Sequence, residues 1–185
     1  STATTLDDII ENGRRARAVI NRLRTLLKKG ESAEQMLDLN EVVPEALDLM
    51  HSDLLVRRIS LTTDFARDLP RVRGDRVQLQ QVLLNLVINA CDAMMTIEPA
   101  ERRLHVATTL DGDFVQISVR DEGPGIPEDQ LLAIFDPFVT FRDQGLGLGL
   151  AISRSIVVAH GGRITAENNA GRGATFRCFL PVARA

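Results

Sequence analysis

The sequence predicts an α+β fold in which a mixed or antiparallel sheet packs against helices on one face, preceded by a long N-terminal helix. Strand-like segments occur as neighbouring pairs around turn signals such as "DGD", which is typical of hairpins and not of a doubly wound parallel sheet. Three longer apolar segments have helical spacing. With 185 residues, 44% of them hydrophobic and 25% charged, the chain can build one globular core with an appendage.

Residues 1–30 form the predicted appendage. Apolar or small side chains repeat there every seven residues in two series, at Leu6, Gly13, Ile20 and Leu27 and at Ile9, Ala16 and Leu23. The pattern predicts a helix over residues 5–29 that ends near Gly30. Because a single helix cannot bury such a seam, we expect a partner helix from elsewhere in preference to a membrane surface. Residues 31–185 are then the main domain.

Charge divides the chain at the same place. Residues 1–30 carry seven basic and three acidic side chains, a net charge of +4, which leaves −7 for the remainder because the whole chain carries −3. An acidic main domain gives no reason to expect nucleic acid as a partner. Cys91 and Cys178 lack the spacing of a zinc site, and neither a signal peptide nor a membrane-spanning run is visible. We therefore expect a cytoplasmic location, with any membrane anchor of the full-length protein outside this chain.

The first half of the main domain is predicted to contain two helices and one strand. A loop leads into a helix over residues 40–57, with Asn40 as its N-cap. Alternating residues predict a strand over residues 59–66, and a turn region follows. A helix over residues 76–95 is apolar on most of its surface, so we expect it to be largely buried.

The second half is predicted to contain two pairs of strands, over residues 103–110, 114–121, 163–170 and 174–182. Between the pairs, a loop rich in glycine and proline leads to a short helix over residues 128–134. An irregular segment follows and ends in a longer helix over residues 149–160.

Three polar side chains interrupt the buried helix. Asn85 and Asn89 are four residues apart and share one face, and Asp92 lies on the same side. Hydrogen bonds to neighbouring backbone are the structural explanation of such residues. Two amides and a carboxylate in register favour a functional site, because an amide oxygen is a ligand that suits Mg²⁺ bridged to phosphate.

Two glycine-rich segments come later in the chain. In "RDEGPGIP", Asp121 ends a predicted strand ahead of Gly123 and Gly125, and its carboxylate can accept from the exocyclic amine of adenine. Taken alone, that segment predicts only a turn. "GLGLGL" at residues 145–150 fits neither the dinucleotide fingerprint nor the Walker loop. It does open a helix, and the free N–H groups of a helix N-terminus bind anions.

Together these segments resemble the ATP-binding catalytic domain of bacterial sensor histidine kinases, in the wider ATPase group that includes gyrase, Hsp90 and MutL. The matching motifs are, in chain order, "LLNLVINACDAM", "DEGPGIP", "FDPFVTF", "GLGLGL" and "GRGATF", the N, G1, F, G2 and final glycine boxes. The resemblance covers about residues 38–182. It implies a two-layer α/β sandwich of the Bergerat type, with ATP and Mg²⁺ between the N-box helix and a lid. Residues 1–30 resemble the second helix of the family's dimerisation hairpin.

The resemblance also implies roles for the motif residues. Asn85 would bind Mg²⁺ through its side-chain oxygen, and Asn89 would face the phosphates or the metal shell. Asp92 would also belong to the nucleotide site, and Asp121 would bind the adenine amine. The base side would be completed by Gly123, Gly125, Ile126 and Thr175. The lid and the phosphate side would be formed by Phe135, Phe138, Thr140, Arg142, Gly145, Leu146, Gly147, Leu148 and Gly149. Arg142 stands where the family often has a lid lysine near the phosphates.

One departure separates subclasses of this group. Relatives that hydrolyse ATP have Glu four residues before the N-box Asn, whereas Asn85 holds that place relative to Asn89 here. Without that base, ATP is better retained for transfer than hydrolysed. The resemblance therefore implies a protein-histidine kinase in preference to a gyrase-like or MutL-like enzyme.

The phosphoacceptor histidine is expected outside this segment, on a hairpin of the same or a partner chain. His51, His105 and His160 lie in predicted regular structure and lack the family's acceptor context. The resemblance implies a homodimer in the full-length protein and a response regulator receiver domain as the next phosphate acceptor. Two alternatives remain: a nucleotide-binding or dimerisation module without catalysis, and an anti-sigma-type serine kinase of the same fold group.

Overall fold

The structure is a computed structural model and describes residues 34–139 and 147–183. These residues belong to a compact unit that spans Ala33–Ala185. The helix predicted over residues 5–29 and four predicted lid residues, Thr140, Arg142, Gly145 and Leu146, lie outside the described residues. The domain boundary at residue 30 therefore stays a prediction.

The main sheet has five strands in the order β2-β4-β5-β7-β6. Their bounds are β2 Ser60–Phe65, β4 Arg103–Asp111, β5 Phe114–Asp121, β6 Arg163–Asn168 and β7 Ala174–Pro181. The edge strand β2 pairs with β4 in parallel, and all the other pairs are antiparallel. The sheet is therefore mixed, which confirms the predicted fold class.

Three helices cover one face of this sheet: α1 Leu39–Val56, α2 Arg76–Ala93 and α3 Gly149–Ala159. Every second side chain of β5 is buried toward them, from Val115 through Ile117 and Val119 to Asp121, while the residues between are more exposed. The core of aliphatic side chains thus lies between a helical layer and the sheet. Asp121 continues the buried series, so a carboxylate occupies the last core position of the strand.

The beginning of α1 differs from the prediction. Its N-cap is Asp38, whose carboxylate accepts from the backbone N–H of Asn40 at 2.8 Å. Asn40 lies inside the first turn and uses its side chain elsewhere: Nδ2 donates to the carbonyl of Ala66 at 2.8 Å, and Oδ1 accepts from the Thr108 hydroxyl at 2.8 Å. Asp and Asn are both good caps, and adjacent candidates are separated only by such tertiary contacts.

Two short strands occupy segments that were predicted to be a loop and a turn. β1 Gln35–Leu37 pairs antiparallel with β3 Val72–Gly74 in a separate two-stranded sheet. Each strand has only three residues, which is too short for a pattern of alternation to be recognised. The helix predicted over residues 128–134 is also wrong, because only a single 3-10 turn forms at Glu128–Gln130. Prolines at 127 and 137 leave too little chain for a stable helix.

The ends of the longer elements shift by a few residues. α2 ends at Ala93 and continues as a 3-10 turn, Met94–Thr96. β6 ends at Asn168, two residues earlier than predicted. The side chains of Asn168 and Asn169 form hydrogen bonds with the loop that follows β5. Within the described part of the chain, no helix combines the length and the apolar character that a membrane crossing requires.

Candidate nucleotide-binding site

Asn85 joins the middle of α2 to the first turn of α3. The side chain is only 4% exposed, and its Nδ2 donates to the carbonyl of Gly149 at 3.2 Å and to the hydroxyl of Ser153 at 3.3 Å. Ser153 in turn donates to the carbonyl of Gly149 at 2.9 Å. The amide nitrogen is thus committed to α3, and the amide oxygen is the atom with the chemistry of a metal ligand.

The same two helices meet a second time, at the N-terminal end of α2 and the C-terminal end of α3. Nε2 of His160, which follows α3, accepts from the backbone N–H of Asp75 at 3.0 Å, while its Nδ1 lies 2.7 Å from the carbonyl of Ile156. Nδ1 therefore carries the proton. Asp75 is itself the N-cap of α2 and accepts from the N–H groups of Val77 and Gln78. α2 and α3 run antiparallel between these two contacts.

The N-terminus of α3 has the features of an anion site. Its N-cap position is Leu148, and among the described residues no side chain caps the first turn. The first N–H groups of the helix carry a partial positive charge and lack intrahelical partners. A Cβ built on Gly149 would lie 3.8 Å from Oδ1 of Asn85. The missing side chain at Gly149 thus leaves space beside that oxygen.

Asp121 is a buried carboxylate at the end of β5. It is 2% exposed, and its Oδ1 accepts from the backbone N–H groups of Gly123 at 2.8 Å and Ala174 at 3.4 Å. Burial raises the pKa of Asp121, and these two hydrogen bonds oppose that rise. Both bonds use the same oxygen, so the group is a fixed acceptor with a defined orientation.

The loop after Asp121 packs closely on the surrounding backbone. A Cβ on Gly123 would lie 3.2 Å from Cβ of Ala93, at the end of α2. Gly125 has φ +83°, a conformation that L side chains rarely adopt. The next residue, Ile126, is held by Asn168, which accepts from its N–H at 2.8 Å and donates to its carbonyl at 2.7 Å. The end of α2, the end of β5 and this loop are thus brought together.

Thr175, expected to support the base side, lies on the face of the sheet opposite to the Asp121 carboxylate. It pairs across the strands with Arg120, one residue out of phase with Asp121, and so points to the open face of the sheet. Ala174 is the β7 residue beside the carboxylate. The Thr175 hydroxyl donates to Oδ1 of Asn169 at 2.6 Å, so Thr175 can act on the base side only through Asn169.

Asp92 forms an ion pair with Arg57, the residue that ends α1. Arg57 also contacts the carboxylate of Asp53 at 2.9 Å. This pair links α1 to the C-terminal end of α2 and neutralises the Asp92 charge. Asn89 lies between Asn85 and Asp92 and is half-buried.

Phe135 and Phe138, the two F-box phenylalanines among the described residues, have different environments. Phe135 is a core residue, 9% exposed, and meets the Phe176 ring edge-on at a centroid distance of 6.3 Å. Phe138 is 74% exposed and has φ +68°, and its N–H donates to the carbonyl of Gly147 at 3.1 Å. A Cβ on Gly147 would lie 2.6 Å from the carbonyl oxygen of Val139. Gly147 thus permits a close crossing of the two chain segments that border residues 140–146.

The chain matches the family model of histidine kinase-, DNA gyrase B- and HSP90-like ATPases over residues 74–184. It is 40% identical over 180 residues to the sensor protein FixL of Bradyrhizobium diazoefficiens, covering 96% of this chain and 35% of that protein. It is 39% identical over 168 residues to the sensor histidine kinase ZraS of Escherichia coli K12, covering 91% of this chain and 35% of ZraS. The chain therefore spans about a third of the length of these relatives.

Solved structures with the same fold include the catalytic domain of histidine kinase ThkA, with a TM-score of 0.72 and 35% identity over 80% of this chain and 95% of that one. Full-length ShkA in complex with AMPPNP has a TM-score of 0.77 and 28% identity, covering 95% of this chain and 37% of ShkA. ThkA in complex with the response regulator protein TrrA has a TM-score of 0.74 and 28% identity, covering 92% of this chain and 49% of that one.

Proposed function

The chain belongs to the family of histidine kinase-, DNA gyrase B- and HSP90-like ATPases, and we propose that it is the ATP-binding catalytic part of a sensor histidine kinase. In this role it would bind Mg·ATP and transfer the γ-phosphate to a histidine outside this segment. A response regulator would then receive the phosphate from that histidine.

One observation carries the proposal. The same helix, α2, has Asn85 against the uncapped start of α3 and, two turns later, ends against the loop that follows the buried Asp121. The proposed metal ligand thus lies next to the proposed anion site, and the fixed carboxylate acceptor, Asp121, lies near the C-terminal end of the same helix. A nucleotide needs this order of groups, because its phosphates carry the charge and its base carries the hydrogen-bond donor.

The proposed contacts follow that order. Asp121 accepts from the exocyclic amine of adenine, and the loop through Gly123, Gly125 and Ile126 shapes the base pocket. The N–H groups of Gly147, Leu148 and Gly149 face the phosphates. Asn89 contacts the phosphates or the waters of the metal. Asp92 pairs with Arg57 beside this site, and Phe138, Thr140, Arg142, Gly145 and Leu146 are proposed lid residues.

The residues present fit a magnesium ion better than a transition metal. Among residues 34–139 and 147–183, no three His, Cys, Asp or Glu side chains cluster in a way that would hold a metal. The proposed ligand is the amide oxygen of Asn85, a hard donor that suits an ion which keeps most of its waters and also binds phosphate oxygens. When bound, Mg²⁺ neutralises phosphate charge during transfer.

The chain's own residues favour transfer over hydrolysis. Asn85 holds the position where hydrolysing relatives carry a glutamate base, and an amide cannot accept a proton from water at neutral pH. The three histidines have structural positions: His51 is exposed on α1, His105 lies within β4, and His160 binds the backbone of Asp75. We therefore propose that a dimerisation hairpin, of which residues 1–30 form part, supplies the acceptor in a homodimeric, cytoplasmic kinase module.

Phosphotransfer from radiolabelled ATP tests the proposal. The 185-residue chain is mixed with Mg²⁺, labelled ATP and a separate dimerisation hairpin that carries the acceptor histidine, and the products are then treated with acid. We expect acid-labile label on the hairpin. The Asn85→Ala chain, which we expect to lose Mg-dependent ATP binding, is the matched negative. Acid-stable label would indicate a serine kinase, and ATP binding without label would indicate a non-catalytic module.

A further inference from the structure

We infer that Asn168 and Asn169, two consecutive residues at the end of β6, are positioning residues that hold the nucleobase pocket in shape. The inference rests on the proposed function, because it concerns the pocket around Asp121. Neither residue belongs to the motifs that identify the site in the sequence, and both are recognised only from their contacts.

Asn168 acts as a partner for the backbone of Ile126. Its Oδ1 accepts from the Ile126 N–H at 2.8 Å, and its Nδ2 donates to the Ile126 carbonyl at 2.7 Å. The oxygen and the nitrogen of the Asn168 side chain thus both bond to Ile126, which fixes the position and the direction of the Ile126 backbone. The approach is close, since a Cβ on Gly125 would lie 2.8 Å from Oδ1 of Asn168.

Asn169 holds the other end of the same loop. Its Nδ2 donates to the backbone carbonyl of Asp121 at 3.1 Å and to that of Arg172, also at 3.1 Å, while its Oδ1 accepts from Thr175. Asp121 therefore has its carboxylate fixed by backbone N–H groups and its carbonyl fixed by Asn169. The loop from Asp121 to Ile126 is held at both ends by neighbouring residues.

The exposure of Asn168 distinguishes a role in positioning the loop from a role in stabilising the fold. Asn168 lies at the surface, so water can replace its hydrogen bonds and their net contribution to stability is small. A base must meet the Asp121 carboxylate and the loop at the same time, so its binding depends on the distance between them. Loss of Asn168 is expected to change nucleotide binding more than folding.

Nucleotide binding by variants of the 185-residue chain tests the inference. Affinities are measured for Mg·ATP and for purine riboside 5′-triphosphate, which lacks the exocyclic amine, and Tm is recorded for each variant. We expect Asn168→Ala to weaken ATP binding by about tenfold, to reduce the preference for ATP over the analogue, and to change Tm little. Asn169→Ala is expected to act in the same direction. Asn168→Asp, which keeps an acceptor for the Ile126 N–H, is expected to be intermediate.

Asn40→Ala is the matched control. Asn40 also makes two side-chain hydrogen bonds, to Ala66 and Thr108, but it lies at the start of α1. We expect it to lower Tm and to leave the ATP preference unchanged. Wild-type affinity and preference in both Asn168 variants, with the unsubstituted chain binding Mg·ATP, would overturn this inference alone. An unsubstituted chain that does not bind Mg·ATP would overturn the proposed function as well.

Discussion

Asp121 combines burial with charge. It ends a strand whose other inward residues are aliphatic, and it is 2% exposed. Burial raises its pKa above 3.8, and the N–H groups of Gly123 and Ala174 oppose the shift. The ionised carboxylate therefore lowers stability, and the proposed benefit is a base acceptor that is already oriented before nucleotide arrives.

We expect Asp121→Asn to stabilise the domain while removing ATP binding. Below pH 3.8 the carboxyl is protonated in both states and the two proteins differ little. As pH rises from 3.8 through the raised folded pKa, the unfolded state loses its proton first, so wild-type stability falls relative to the variant. The difference then persists to neutral pH. Denaturant unfolding at a series of pH values, combined with ATP titration, measures both effects.

The asparagine variant keeps an acceptor for the two N–H groups but can present an N–H to the base amine. A stability difference between the two proteins that shrinks as pH rises would show that the charge of Asp121 is stabilised by its surroundings, contrary to this account.

The sequence indicates candidate site residues where they interrupt a pattern. Asn85 stands out within an apolar helix, and Asp121 stands out at the end of an alternating strand. Asn168 and Asn169 interrupt no pattern, because polar residues are ordinary where a strand ends and a turn begins. The direction of Thr175 was equally hidden, since a shift of one residue in strand register reverses the face. Such roles depend on contacts between segments that are distant in sequence.

At the scale of elements, the proposed phosphate site lies at the uncapped N-terminus of α3. The sequence predicts the position of this helix because the glycine-rich segment at residues 145–150 is followed directly by apolar residues with helical spacing. It did not predict β1 and β3, whose six residues are ordered by pairing with each other. Gly147 and Gly149 lack a side chain for different structural reasons, and alanine substitutions can distinguish these reasons.

We expect Gly149→Ala and Gly147→Ala to have different effects. A Cβ at Gly149 meets nothing closer than 3.8 Å, so the variant should fold about as stably as the unsubstituted chain. It nevertheless fills the space beside Oδ1 of Asn85, so Mg·ATP binding should weaken. Gly147→Ala requires φ +64° and places its Cβ 2.6 Å from Val139, so it should lose both stability and binding.

Thermal unfolding and ATP titration on the same samples check this pair. Gly149→Ala that binds Mg·ATP as tightly as the unsubstituted chain would contradict a phosphate site at this helix end. A stable Gly147→Ala would contradict the close crossing of the chain segments on either side of residues 140–146.

At the scale of the whole molecule, the helical layer and the sheet share one core, so they are expected to unfold together. Each layer contains one buried cysteine: Cys91 lies on α2 and Cys178 on β7. Burial raises the pKa of both thiols to about 12. A thiol with such a pKa is almost wholly protonated near neutral pH and is a poor nucleophile.

We expect both cysteines to react with a thiol reagent at the same slow rate in native conditions at pH 8, because reaction requires unfolding of the shared core. Denatured chain is the reference, in which both should react at once. Mass spectrometry of labelled peptides gives the two rates. Rapid labelling of Cys91 with protection of Cys178 would show that α2 separates from the sheet without global unfolding.

The two contacts between α2 and α3 have a consequence for how the sequence can change in length. Along α2, Asp75 and Asn85 are ten residues apart, about 15 Å. Along α3, Gly149 and His160 are eleven apart, about 16 Å. The two contacts are therefore almost equally spaced along both helices, so both can form at once. Removing one residue between the two contacts of either helix would rotate one contact residue by about 100° around the helix axis and break its contact. Chimeras between relatives should exchange α2 and α3 as a pair, since both contacts form only when the distances between contact residues match on the two helices.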